Sequence, residues 1–192
     1  MCQILLSLQA LHMRKVVHGA VMLSNVFLTG KNDNVRLGPT NDFLQLYKDP
    51  NTANHQISTF KTANGMETMC ERTNANGGKF KTAQEGMECL EHLAPEMFNA
   101  TGEVNYSNDI WALGVFAYKL ATYEAPFVGN TPVHVVMSIQ KNEPDWELLS
   151  SKGYSQEFVS VVKEMLVKDP NNRATCRHLL NMDYFPAAMN FG

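Results

Sequence analysis

Residues 16–28 read VVHGAVMLSNVFL. Two β-prone apolar pieces, Val16-Val17 and Val26-Phe27-Leu28, enclose a centre without a single charged side chain. His18 stands near one end and Asn25 near the other, with Gly19, Ala20 and Met22 between them. The flanks have the rhythm of a loop fixed in a core. None of Gly, Ala or Met can accept a proton or offer a positive charge.

Upstream, residues 2–13 place Ile4, Leu5, Leu8 and Leu11 on one helical stripe, which predicts an amphipathic helix. Downstream, TGKNDN separates Val26-Phe27-Leu28 from Val35-Arg36-Leu37 and predicts a small β-hairpin. Residues 48–84 are polar, rich in Asn and Thr and poor in aliphatics, and read as a long flexible surface insert. Gly77-Gly78 lies within it and follows no strand, so it reads as loop and not as a phosphate cradle.

Order is expected to resume near residue 86 with GMECLEHLAPEMF. Ser107 is placed to cap a helix through NDIWALGVFAYKLAT, which is apolar on nearly every face and reads as a buried central helix. Thr131-Pro132 opens another, with proline at its first position. Residues 155–167 gather Phe158, Val161, Val162, Met165 and Leu166 on one face, and Asp169-Pro170 is expected to stop that helix. A last helix is expected over 174–180. The fold class is therefore mainly α with one small β-hairpin, and no repeat is visible.

The chain has 192 residues, 44% of them hydrophobic, enough for one sizeable core. Its net charge of -3 is mixed along the chain, which excludes a basic nucleic-acid-binding face and a polybasic membrane-surface segment. Cys2, Cys70, Cys89 and Cys176 are scattered without a Cys-x-x-Cys pair, so neither zinc nor a disulfide framework is indicated. The amino-terminal stretch is apolar first and basic later, the reverse of a secretory signal, and no apolar run approaches a membrane span. A cytoplasmic protein is expected.

Four motifs in order carry a resemblance. His18 and Asn25 keep the ends of a His-Arg-Asp-x-x-x-x-Asn loop. Ala94-Pro95-Glu96 is an intact Ala-Pro-Glu. Asp109, Trp111 and Gly114 match Asp-x-Trp-x-x-Gly on the central helix. Arg173, in DPNNRAT, stands where an arginine would pair with the Glu of Ala-Pro-Glu. Together they resemble the C-terminal lobe of a eukaryotic protein kinase over residues 1–185, with the 48–84 insert inside it. SNVFLTGKNDNVRLG and NDIWALGV look most like the NIMA-related (Nek) serine/threonine kinases.

The resemblance also implies what is missing. Phosphoryl transfer in that family relies on positioning and charge neutralisation. In register, the loop Arg is Gly19, the catalytic Asp is Ala20 and the loop Lys is Met22. The metal-binding Asp-Phe-Gly would fall on Pro39, Thr40 and Asn41; a three-residue slide uses Asp42-Phe43 instead, with Leu44 for the Gly. Asn25 would be a vestigial nucleotide and magnesium residue, or a brace for the loop. The family's glycine-rich loop, strand Lys and helix Glu have no counterpart, so the N-terminal lobe is expected to be absent.

His18, Glu96, Asp109, Trp111, Gly114 and Arg173 take structural roles by the same resemblance. Glu96 would pair with Arg173, and Asp109 would brace the loop backbone. Trp111, Met97, Met137 and Met165 read as core. The insert corresponds to an activation segment, with Thr59, Thr62, Thr68, Thr73 and Thr82; Gly19 removes the arginine a phosphate there would recruit.

The expected function is a catalytically inactive pseudokinase, an interaction or scaffold module needing no cofactor. Its partners would be proteins, a kinase or a cytoskeletal protein, with no nucleic acid and no membrane, and the Nek resemblance suits a cytoskeletal location. Two alternatives stay open. One is an active ATP-dependent serine/threonine kinase with Asp42 and Asn25 on magnesium. The other is a truncated relic.

Overall fold

A computed structural model of the chain describes residues 1–29, 34–38, 90–99 and 104–185. The polar insert at 48–84, residues 39–44 and both Cys70 and Cys89 lie outside them.

Helix α1, Cys2–Met13, buries Ile4, Leu5 and Leu8 of the expected stripe, while its fourth member, Leu11, is only half-buried. Lys15 follows at φ 60°, a left-handed turn that ends the helix and leads into residues 16–20, which form neither helix nor strand. Val16-Val17 forms no strand; the sheet is the hairpin β1, Val26–Thr29, with β2, Asn34–Leu37. The strands pair antiparallel, Val26 opposite Leu37 and Thr29 opposite Asn34. The side chain of Gln3 on α1 accepts the backbone N–H of Val35 at 2.6 Å, which fastens the hairpin to the helix.

The central helix α2, Tyr106–Thr122, is capped by Asn105 and not by Ser107. The Asn105 side chain accepts the Ser107 N–H at 2.8 Å, and Asn108 returns a bond to the Asn105 N–H at 2.7 Å. This reciprocal box satisfies two orphan donors, and it places the cap two residues before the serine. A helix apolar on all sides must bury all sides. On one flank of α2, Trp111, Val115 and Tyr118 pack with Phe127, Ile139, Leu149 and Val162. On the other, Ile110, Leu113 and Phe116 pack with Ile4, Leu8, Val161, Met165 and Leu179.

Four more α-helices lie among the described residues: α3, Pro132–Lys141; α4, Trp146–Ser151; α5, Gln156–Met165; and α6, Cys176–Leu180. The sequence reading did not predict α4, whose six residues are too short to show a period; Asp145 caps it through the Leu148 N–H at 2.9 Å. Helix α5 ends at Met165, ahead of Asp169-Pro170, and α6 begins at Cys176 because Thr175 is its cap. Met97 and Met165 are core, but Met137 is 44% exposed, since α3 turns Val135 and Ile139 inward instead.

Gly114 shows why α2 and α5 lie so close. A Cβ there would stand 2.8 Å from Met165 Cβ and from Leu166 Cδ2. Only a residue without one fits this contact.

Candidate functional site

The loop between α1 and β1 is held by a carboxylate from the central helix. Asp109 is 1% exposed, and its Oδ2 accepts the backbone N–H of His18 at 2.8 Å. Its Oδ1 accepts the N–H of Gly19 at 2.7 Å. Gly19 sits at φ 71°, a left-handed conformation that costs a residue with a Cβ about 1–2 kcal/mol. The position that carries Arg in the kinase pattern is thus held by its backbone.

His18 is buried and spends both ring nitrogens inside the protein. Its Nδ1 accepts the N–H of Ala20 at 3.2 Å, so Nε2 carries the proton and donates to the Gly38 carbonyl at 3.1 Å. The neutral ring links the loop to the end of β2. Asn25 adds a second tie: its Nδ2 donates to the Ala20 carbonyl at 3.0 Å, and its own carbonyl accepts the Gly38 N–H at 2.8 Å. A Cβ on Gly38 would come within 1.8 Å of Asn25 Oδ1. Ala20 and Met22, half-buried in the same loop, bring no charge to it.

One member of this arrangement was missed from sequence. His12, in the last turn of α1, places Nε2 2.8 Å from Asp109 Oδ2. Its Nδ1 faces the thiol of Cys176 at 3.6 Å. Burial foremost, then the charge of Asp109, pushes the Cys176 thiol up to about 12, so it stays protonated and can donate to the ring. The available signal was a polar residue four positions after Leu8, in line with the apolar stripe. A cavity of about 990 Å³ opens beside this pair, lined in part by Gln9, His12, Tyr106, Arg173 and Cys176. It does not reach Ala20, Met22 or Asn25.

Glu96 and Arg173 meet as a two-pronged ion pair, Nη1 to Oε1 at 2.7 Å and Nη2 to Oε2 at 2.8 Å. The other guanidinium donors go to the carbonyls of Val167, Ser107 and Lys168. All five N–H groups of the buried arginine are therefore used. Glu96 Oε1 also accepts from Asn108 at 2.7 Å. Arg173 lies 5.0 Å over the ring of Trp111, and that ring stacks on Phe127 at 5.3 Å. The pair thereby ties residues 95–98 to the start of α2 and to the turn before α6.

The structure brings His18, Asn25, Gly19, Ala20 and Asp109 together in one loop environment. It brings Glu96, Arg173 and Trp111 together in a second. Asp42, the carboxylate of the alternative register, lies outside the described residues. Among those that are described, no group of three His, Cys, Asp or Glu side chains is placed to hold a metal ion.

Residues 1–185 match the protein kinase domain family. The chain belongs to that family. Among its curated relatives, the serine/threonine-protein kinase ppk11 of Schizosaccharomyces pombe is 41% identical over 87 residues. That alignment covers 45% of this chain and 27% of the relative. Germinal center kinase 3 of Caenorhabditis elegans is 32% identical over 99 residues, covering 48% of this chain and 17% of the relative. The kinase-family chain thus aligns with less than a third of each relative's length. Among solved structures, a crystal structure of Rad53 residues 1–466 with AMP-PNP superposes with a TM-score of 0.66 at 19% identity. It covers 96% of this chain and 38% of that one, and establishes the fold. The described part of this kinase domain is mostly helical with one two-stranded sheet. No described helix is long and apolar enough to cross a membrane.

Proposed function

We propose that this kinase-family chain is a pseudokinase: a module that keeps the loop's frame, does not transfer phosphate, and works through protein contacts. One observation carries this reading. Asp109 holds the loop backbone at His18 and Gly19, while the next positions, Ala20 and Met22, supply neither a base nor a cation.

The residues present do not fit magnesium nucleotide at this loop. Phosphoryl transfer needs a carboxylate at the substrate hydroxyl, a cation at the moving phosphate and oxygen ligands for magnesium. Ala20 and Met22 offer none of these, and the Asn25 amide is engaged with the Ala20 carbonyl. No cofactor is therefore assigned. Within the family, the proposed Nek affinity rests on SNVFLTGKNDNVRLG and NDIWALGV, and neither relative described above carries that name. Partners in this reading are proteins, a kinase or a cytoskeletal component, in the cytoplasm.

A phosphotransfer assay tests it, using the full chain, labelled Mg-ATP and a pool of Ser- and Thr-containing peptides. Incorporation equal to the protein-free blank is expected. Turnover above the blank that disappears in Asp42→Ala would contradict it and favour the displaced metal ligand.

A further inference from the structure

His92 is a titratable group that neither the loop nor its braces use. It is 5% exposed, in the segment 90–99 that packs on α2. Its Nδ1 faces the Ala112 carbonyl at 3.4 Å, the long end of a hydrogen bond. Its Nε2 has no hydrogen-bond partner among the described residues. The neutral ring is held chiefly by packing.

The charges around it are unfavourable to a proton. On α2, the charge of Lys119 disfavours a second cation at the ring. Both carboxylates of the segment are already committed. Glu91 accepts from Lys119 Nζ at 2.7 Å, and Glu96 is paired with Arg173. Burial first and Lys119 second push the pKa of His92 down to about 3.

We propose that His92 is an acid-sensitive latch, whose protonation drives the first half of segment 90–99 off the central helix. The Glu91–Lys119 end gives way, because a new cation beside Lys119 competes for Glu91. The Glu96–Arg173 end stays anchored by its two-pronged pair. Opening would uncover the buried side chain of Leu90 and the partly buried Leu93. This latch stands apart from the proposed loss of phosphate transfer; it requires only the packing of the segment on α2.

The sign follows from linkage. The closed state holds the ring neutral, and the open state takes up a proton below the ordinary imidazole value of 6.5. The closed form is therefore favoured fully above that value and loses ground as pH falls. The opening constant rises about tenfold per pH unit below it.

Amide hydrogen exchange of the full chain at pH 7.5 and pH 5.0, corrected for intrinsic rates, tests the latch. Protection of residues 90–94 should fall about thirtyfold in the wild type, while α5 keeps its protection. In His92→Phe and His92→Gln the change should be less than about threefold, the spread expected without a titrating ring. An equal fall in wild type and variants would overturn the proposal. So would no fall in the wild type, or a fall shared evenly by α5, which the wild type alone reveals if neither variant folds.

Discussion

Asp109 Oδ1 stands 2.7 Å from the backbone nitrogen of Gly19, which lies in the left-handed region at φ 71°. The bond fixes a backbone conformation and asks nothing of the side chain at that position. This is why the loop keeps its shape when Gly, Ala and Met occupy its centre. The frame is built from a buried carboxylate and main-chain donors.

Removing that carboxylate should loosen the loop before it affects the rest of the core. Asp109→Ala leaves the His18 and Gly19 amides and the His12 ring without their acceptor. A loss of about 3 kcal/mol or more is expected, because hydrogen bonds to a buried charge are worth about 1.5–3 kcal/mol each. Urea unfolding gives the magnitude. Exchange of the His18 and Gly19 amides should rise more than that of α5.

Glu96 and Arg173 form a second, independent brace. Glu96→Ala should cost about 3–5 kcal/mol, since the buried guanidinium then lacks its counter-charge. Arg173→Met should cost a similar amount. The double variant should cost clearly less than the sum of the two, because it leaves no unpaired buried charge. Additive losses in a denaturation cycle would show that the two residues do not act as a pair.

The sequence made some of this legible for definite reasons. The helical stripe of α1 and the all-round apolarity of α2 follow from spacing, and the packing confirms both. The Asn105 cap was misassigned to Ser107, because both residues are good caps two positions apart and only the side-chain geometry separates them. Val16-Val17 is β-prone but pairs with no strand among the described residues, and propensity without a partner gives no strand. Met137 reads as core by type, yet its helix turns other residues inward. His12 reaches Asp109 across 97 positions of sequence, a contact that no local pattern encodes.

Two glycines should resist a single methyl group. Gly38→Ala would place Cβ against Asn25 Oδ1, and Gly114→Ala would place it against Met165 and Leu166. Each should cost about 1–3 kcal/mol by overpacking. Only Gly38→Ala should also disturb the Asn25–Ala20 tie, visible as a shift of the Asn25 side-chain amide resonances. Matching shifts in both variants would remove the distinction.

Cys176 should be inert while the chain is folded. Its thiol is pushed up to about 12 by burial and by Asp109, so almost no thiolate exists at pH 8. Alkylation with iodoacetamide, read by mass spectrometry, should label Cys176 only after denaturant is added. Rapid labelling of the native chain would mean that the pocket beside His12 opens readily.

Binding of Mg-ATP to the purified full chain is the most direct measure of the vacant loop. Thermal unfolding, recorded with Mg-ATP, with ATP and chelator, and with neither, should give the same midpoint in all three. A saturable, magnesium-dependent rise in the midpoint that Asn25→Ala or Asp42→Ala abolishes would contradict the pseudokinase reading.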